Sequence, residues 1–283
     1  MSKGDIKWDS ALSMLSIHVA AVAALFCFSW QAFWVFLVLL IATGCVGICL
    51  CYHRLLTHRS FELWKPLEYF FALLGSLAWQ NGPIKWVAIH RIHHARSDEP
   101  GDPHSPVRSF WWGHIGWMYT YDEELDQYER YKAYAPDMVR DPVYRLLNAT
   151  HGWYQLLLGI ALFLWGGVPF VLWGIFLRTV AMWHSTWFVN SAAHTWGYRT
   201  WATGDRSTNN WWVALLTYGE GWHNNHHAFP RSAAHGLRWW ELDTTYLTIR
   251  ALHLLGLASH IQLPTEQQRS RLSSLAARPA EAA

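Results

Sequence analysis

Four apolar stretches limit what this chain can fold into more than any other feature. Residues 11–30, 33–52, 148–165 and 170–189 are nearly free of charge, and each approaches the ~20 apolar residues that cross a hydrocarbon core as a helix. Only 15% of the chain is charged, against roughly 25% in soluble domains. The sequence therefore predicts an all-α membrane protein with four transmembrane helices in two hairpins. "GGVP" (166–169) supplies the turn of the second hairpin. Residues 67–80 form a shorter apolar run that suits an interfacial or re-entrant helix.

Basic residues set the expected orientation. Lys3 and Lys7 precede the first span, nearly all other Lys and Arg fall in residues 53–147 or from Arg199 onward, and neither hairpin turn has any. Cytoplasmic flanks carry such an excess. Both termini and the polar regions 53–147 and 190–264 are thus expected in the cytoplasm, the inner face if the membrane is a bacterial inner membrane. Residues 1–283 read as one integral-membrane domain, with 265–283 as a disordered tail. Arg178 falls inside a span, where it either lines a polar interior or snorkels to an interface. No cleavable signal is apparent at the start. A formal net charge of +2 gives no argument for a nucleic-acid partner. Cys27, Cys45, Cys49 and Cys51 lie in apolar runs without CxxC spacing and read as buried thiols.

The 17 histidines are unevenly placed. "HRLLTH" holds His53 and His58, "HRIHH" holds His90, His93 and His94, and "HNNHH" holds His223, His226 and His227. "NSAAH" adds Asn190 and His194. On an α-helix the three rings of HxxHH lie within an arc of ~100°, one face and so one target. The two rings of HxxxxH either meet one metal where a helix ends or serve two metals. Lone histidines His18, His151, His235, His253 and His260 read as ordinary hydrogen-bonded residues. The clusters do not, because packed imidazoles resist joint protonation while neutral imidazole is a common metal ligand. Nine rings exceed one centre, so two metals are expected at one end of the bundle. A zinc hydrolase ordinarily uses three or four ligands; nine nitrogen donors favour redox iron, although spacing alone leaves zinc open.

With these boxes in view, the chain resembles the membrane-bound fatty acid desaturases, specifically the delta-9 group with cyanobacterial, bacterial and plant plastid-like members. The resemblance covers about residues 44–264 and rests on "YHRLLTHRSF", "WQNGPIKWVAIHRIHH", "SDEPGDPHSP", "FWWGHIGW", "HSTWFVNSAAH", "GDRSTNNWWVALLTYGEGWHNNHHAFP" and "HGLRWWELD". It implies a four-span enzyme whose cytoplasmic helical cap carries two iron ions (Fe2+). With O2 as co-substrate and two electrons, such an enzyme introduces a cis double bond into a saturated acyl chain. His53, His58, His90, His93, His94, His194, His223, His226 and His227 would be the ligands, with Asn190 reaching one metal through water. Asp98, Asp102 and Glu220 are candidates to orient the rings, and His104 and His114 have supporting roles. Gln80, Trp86 and Thr186 match positions bordering the bend of the substrate tunnel.

Two departures stand out. "GICLCY" places Cys49 and Cys51 where the family often has Thr and Gly, which bears on the far end of the tunnel. Ala88-Ile89 and Thr120-Tyr121 stand where animal acyl-CoA members carry charged pairs, so an acyl chain on a glycerolipid is favoured over acyl-CoA. A di-iron acyl hydroxylase is the neighbouring reading, and a metal-handling membrane protein a remote one. No fused haem domain or HPGG motif is present, so electrons would come from a separate ferredoxin or cytochrome b5-like donor.

Overall fold

The computed structural model describes residues 3–276 and is mostly helical. Helix α1 (Trp8–Ala24) leads through a short turn into α2 (Trp30–Leu40), which continues unbroken as a π-helix over Ile41–Thr57. The first apolar helix is shorter than the expected 11–30. The Ser29 hydroxyl accepts from the Ala32 N–H at 3.1 Å and starts the next helix at Trp30, because a capping oxygen satisfies a helix-start N–H that apolar character cannot.

Among the described residues, Trp30–Thr57 and Pro142–His194 are long and apolar enough to cross a membrane, and α1 is a shorter apolar helix. The second stretch doubles back. Gly166 and Gly167 leave helical geometry, Gly167 at φ 67° and ψ −158°, a conformation that glycine adopts without steric cost. Beyond them Ile175 packs against Leu162, and Gln155 Nε2 donates to the Thr179 hydroxyl at 3.2 Å. Trp173 Nε1 donates to the Ala24 and Cys27 carbonyls at 2.9 and 3.1 Å, which brings the two turns to the same end of the bundle.

The outer faces are apolar. Leu12, Leu15, Val19 and Val22 on α1 and Leu156, Leu157, Ile160 and Phe163 on the second hairpin are exposed, a surface suited to lipid rather than water. Trp30 and Trp165 stand exposed beside the two turns, and Trp8 at the opposite end of α1, as expected of residues at a membrane–water boundary.

Helix α3 (Lys65–Ser76) is the short apolar run. It lies tightly on the π-helix, since a Cβ on Gly47 would come within 2.5 Å of the Gly75 backbone nitrogen. Arg178 is fully buried and lines the interior rather than reaching an interface. Its guanidinium donates to the carbonyls of Leu77 at 2.6 Å and Gly174 at 3.0 Å and to Gln155 Oε1 at 3.1 Å. Helix α4 (Pro83–Ala95) begins with proline, whose missing N–H costs nothing there. It shares a core with the π-helix and α3 through Leu56, Ala72, Ile84 and Val87. Short strands Glu62–Leu63 and Ala258–Ser259 pair antiparallel and tie the two polar regions together. Glu266–Ala276 is helical where a tail without structure is expected. The rest of that tail, residues 277–283, lies outside the described residues.

Candidate dimetal centre

The histidine boxes meet at the end of the bundle opposite the hairpin turns. His53 lies near the end of the π-helix, His90, His93 and His94 occupy the last turns of α4, and His194 closes the second hairpin. His223, His226 and His227 sit on a six-residue helix, His223–Ala228. Their nitrogens form two groups: His53, His58, His90, His94 and His226, and His93, His194, His223 and His227. Within each group the ligand atoms lie within 4.8 Å of one another.

This division corrects the expectation that each HxxHH face serves one target. His90 and His94, four apart, join the first group while His93 joins the second; His223 and His227 join the second while His226 joins the first. A four-residue step turns ~40° along an α-helix and a three-residue step ~60° the other way, so one face addresses two adjacent points. The HxxxxH pair resolves too. The π-helix bonds residue i to i+5, and the His58 N–H donates to the His53 carbonyl at 3.2 Å, which brings the two rings edge to face, 4.9 Å apart, at one site.

The donor atoms fit metal ions. Nε2 atoms of His194 and His223, and of His223 and His227, lie 3.0 Å apart, and those of His90 and His94 lie 3.1 Å apart. Two imidazoles at right angles on an ion ~2.1 Å away would stand about 3 Å from each other. His58 Nε2 is buried without a hydrogen-bond partner, a cost that coordination removes. Burial, reinforced by neighbouring histidines, pushes His58, His90, His94, His223 and His226 well below the ordinary imidazole range. They are held neutral, the form that binds metal.

Carboxylates grip the far side of four rings. Nδ1–H groups donate from His53 to Glu220 at 2.6 Å, from His93 to Asp102 at 3.0 Å and from His194 to Asp98 at 2.8 Å. His227 donates to Asp205 at 2.6 Å. Burial alone would raise the Asp98 carboxyl, but His194 and the Arg206 backbone N–H bring it down to about 2. Burial likewise opposes ionisation of Glu220, and the Arg54 guanidinium overcomes it. Such partners fix ring orientation and tautomer.

Asp205, Arg54 and His235 were not apparent from the sequence. Arg54 is fully buried and donates to Glu220 Oε1 at 2.8 and 3.0 Å and to Asp243 Oδ2 at 2.9 Å. His235 is not an ordinary lone histidine: it is fully buried, 2.9 Å from Glu220, with its ring 4.3 Å from that of His226. The signal for Arg54 was its position beside His53. The His104 ring lies tilted against that of His93, 4.3 Å between centres, whereas His114 stands apart, 3.0 Å from His184.

Two cavities border the first metal group and share Trp86, His90, Thr186 and Asn190. The larger, about 510 Å³, runs to Lys7 and Asp126; the smaller, about 40 Å³, ends among Ile48, Cys49 and Met182. Gln80 stands at the junction, donating to the Thr186 hydroxyl at 2.9 Å and accepting from Trp86 Nε1 at 3.2 Å.

A sequence model of the family "Fatty acid desaturase" matches residues 28–259. The chain belongs to the fatty acid desaturase family. It is 49% identical over 269 residues to the sn-1 stearoyl-lipid 9-desaturase of Anabaena variabilis, covering 94% of this chain and 98% of the relative. It is 47% identical over 257 residues to the sn-2 palmitoyl-lipid 9-desaturase of Nostoc sp., covering 90% of each. The icosanoyl-CoA 5-desaturase of Limnanthes douglasii is 47% identical over 277 residues, covering 96% of this chain and 78% of the relative. As a desaturase the protein is an oxidoreductase of lipid metabolism, with a histidine-rich metal centre and a fatty acyl substrate.

Proposed function

We propose that this desaturase places a cis double bond at the delta-9 position of a saturated acyl chain carried on a glycerolipid, using two iron ions held by the nine histidines. The observation that carries this reading is the division of those imidazoles into adjacent groups of five and four beside two cavities that share Trp86, His90, Thr186 and Asn190. All-nitrogen donor sets suit iron. Bound iron would supply, with O2, an oxidant able to break a methylene C–H bond that no acid or base in the chain can attack.

The chain's own residues do the rest. Glu220, Asp98, Asp102 and Asp205 hold His53, His194, His93 and His227 in position. Asn190, which lines both cavities, reaches one metal through water. Gln80, Trp86 and Thr186 bend the acyl chain and so choose the carbon pair beside the centre. The enclosing wall excludes water from the reacting carbons. Converting a saturated chain and O2 to an alkene and two waters takes two electrons and two protons, and a ferredoxin or cytochrome b5-like protein supplies the electrons.

In the membrane the chain forms one domain with four spans in two hairpins, and the basic flanks support a cytoplasmic side for both termini and the metal centre. The Limnanthes relative, named for acyl-CoA, keeps that carrier as the second reading. Expression in a host lacking delta-9 desaturation, with mass-spectrometric location of the double bond in each lipid class, tests the proposal. A delta-9 product on glycerolipids is expected, and His93→Ala should abolish it; a fully active variant would overturn the metal assignment.

A further inference from the structure

The mouth of the larger cavity has a charge arrangement that the desaturation chemistry does not use. Lys7 Nζ lies 2.9 Å and Lys85 Nζ 3.1 Å from the two oxygens of one carboxylate, Asp126. All three side chains are mostly shielded, at 17%, 21% and 13% exposure, and all three line the cavity. Two ammonium groups thus share one counter-charge. Asp9 also lines this end, but it is exposed, where water screens it.

Lys7 is held there by its backbone. Its N–H donates to the Tyr119 carbonyl at 2.8 Å, and Ile6 pairs with Thr120 in a single bridge, so the N-terminal segment lies beside residues 119–121. Lys85 comes from the first turn of α4, the helix that carries the second histidine box. Burial pushes the Lys85 ammonium below its ordinary value even with Asp126 alongside. An additional anion would relieve that cost.

The height of the mouth says where such an anion would come from. Trp8, next to Lys7, is 67% exposed, and the lipid-facing leucines of α1 begin at Leu12. The lysine pair therefore sits where apolar surface gives way to polar, the level of lipid head groups. We propose that Lys7 and Lys85 form a subsite for the phosphate of the acyl carrier, with Asp126 spacing the two ammonium groups until that phosphate arrives. This rests on the reading of the cavity as the acyl tunnel, and it narrows the carrier to one bearing a phosphate.

Full-length enzyme in vesicles of a neutral host lipid, supplied with electrons, would be offered saturated phosphatidylglycerol, saturated monogalactosyldiacylglycerol and stearoyl-CoA in separate arms. The reading is the ratio of kcat/KM on the phosphate-bearing substrate to that on the galactolipid. Lys7→Gln with Lys85→Gln should lower it about tenfold, as loss of charge-assisted contacts does. Lys85→Arg should keep it within about twofold, and Asp126→Asn, which frees both ammonium groups, should raise it. These variants remain informative where the double variant folds poorly. A ratio unmoved by all of them, or equal losses on both head groups, overturns the subsite. A lysine effect in the stearoyl-CoA arm alone supports the phosphate subsite and assigns its source to CoA. A wild-type enzyme without product in any arm would instead overturn the desaturase reading itself.

Discussion

The Asp205 carboxylate lies 2.6 Å from Nδ1 of His227, while the opposite nitrogen of that ring stands 3.0 Å from His223 Nε2. A carboxylate so placed aims the ring and strengthens it as a donor. Asp205→Asn should lower metal affinity about 10- to 100-fold, read as metal per protein after dialysis against graded chelator. Wild-type retention would show that Asp205 does not orient a ligand.

Thr186 accepts the hydrogen bond that pins Gln80 at the cavity junction. Thr186→Val removes a bond worth about 1 kcal/mol, enough to let the acyl chain settle in more than one register. The product should become a mixture of double-bond positions, resolved by mass spectrometry, where the wild type gives one. A single unchanged position would separate Thr186 from the choice of carbons.

Arg178 secures the backbone just before Trp79 and Asn81, both of which hold positive φ, at 57° and 72°. Arg178→Gln cannot reach Leu77, Gly174 and Gln155 together. It should cost about 1–3 kcal/mol through unsatisfied buried groups, seen as a lower unfolding temperature in detergent, and should also blur the double-bond position. Lower stability with unchanged regiochemistry would confine Arg178 to a structural role.

Burial lowers His227 to about 4 against the pull of Asp205, and lowers His235 to about 4 with the Arg54 charge adding to the effect. Unfolded histidine titrates near 6.5. In metal-free protein the unfolded chain therefore gains protons first as pH falls, and stability drops between about pH 6.5 and 4. Chelator-treated enzyme should show a flat unfolding temperature above neutrality and a fall across that window. A profile flat to pH 4 would contradict the buried, neutral state of these rings.

The identity of the clustered histidines was legible because their spacing has no other common explanation, yet their partition was not. The separation of His93 from His94 depends on the angular offset between three- and four-residue steps, and the union of His53 with His58 depends on π-helical winding that no composition rule exposes. Asp98, Asp102 and Glu220 could be named because they stand close to a box in sequence. Asp205 reaches His227 only because the intervening loop returns, and His235 and Arg54 converge on Glu220 from distant segments. The second hairpin turn was plain in two adjacent glycines, whereas the first was decided by the hydroxyl of Ser29.

The two HxxHH boxes each contribute to both groups of nitrogens, so neither metal position belongs to one stretch of chain. Helix α4 and the His223–Ala228 helix each hand rings to both groups, so a displacement of either helix disturbs both positions at once.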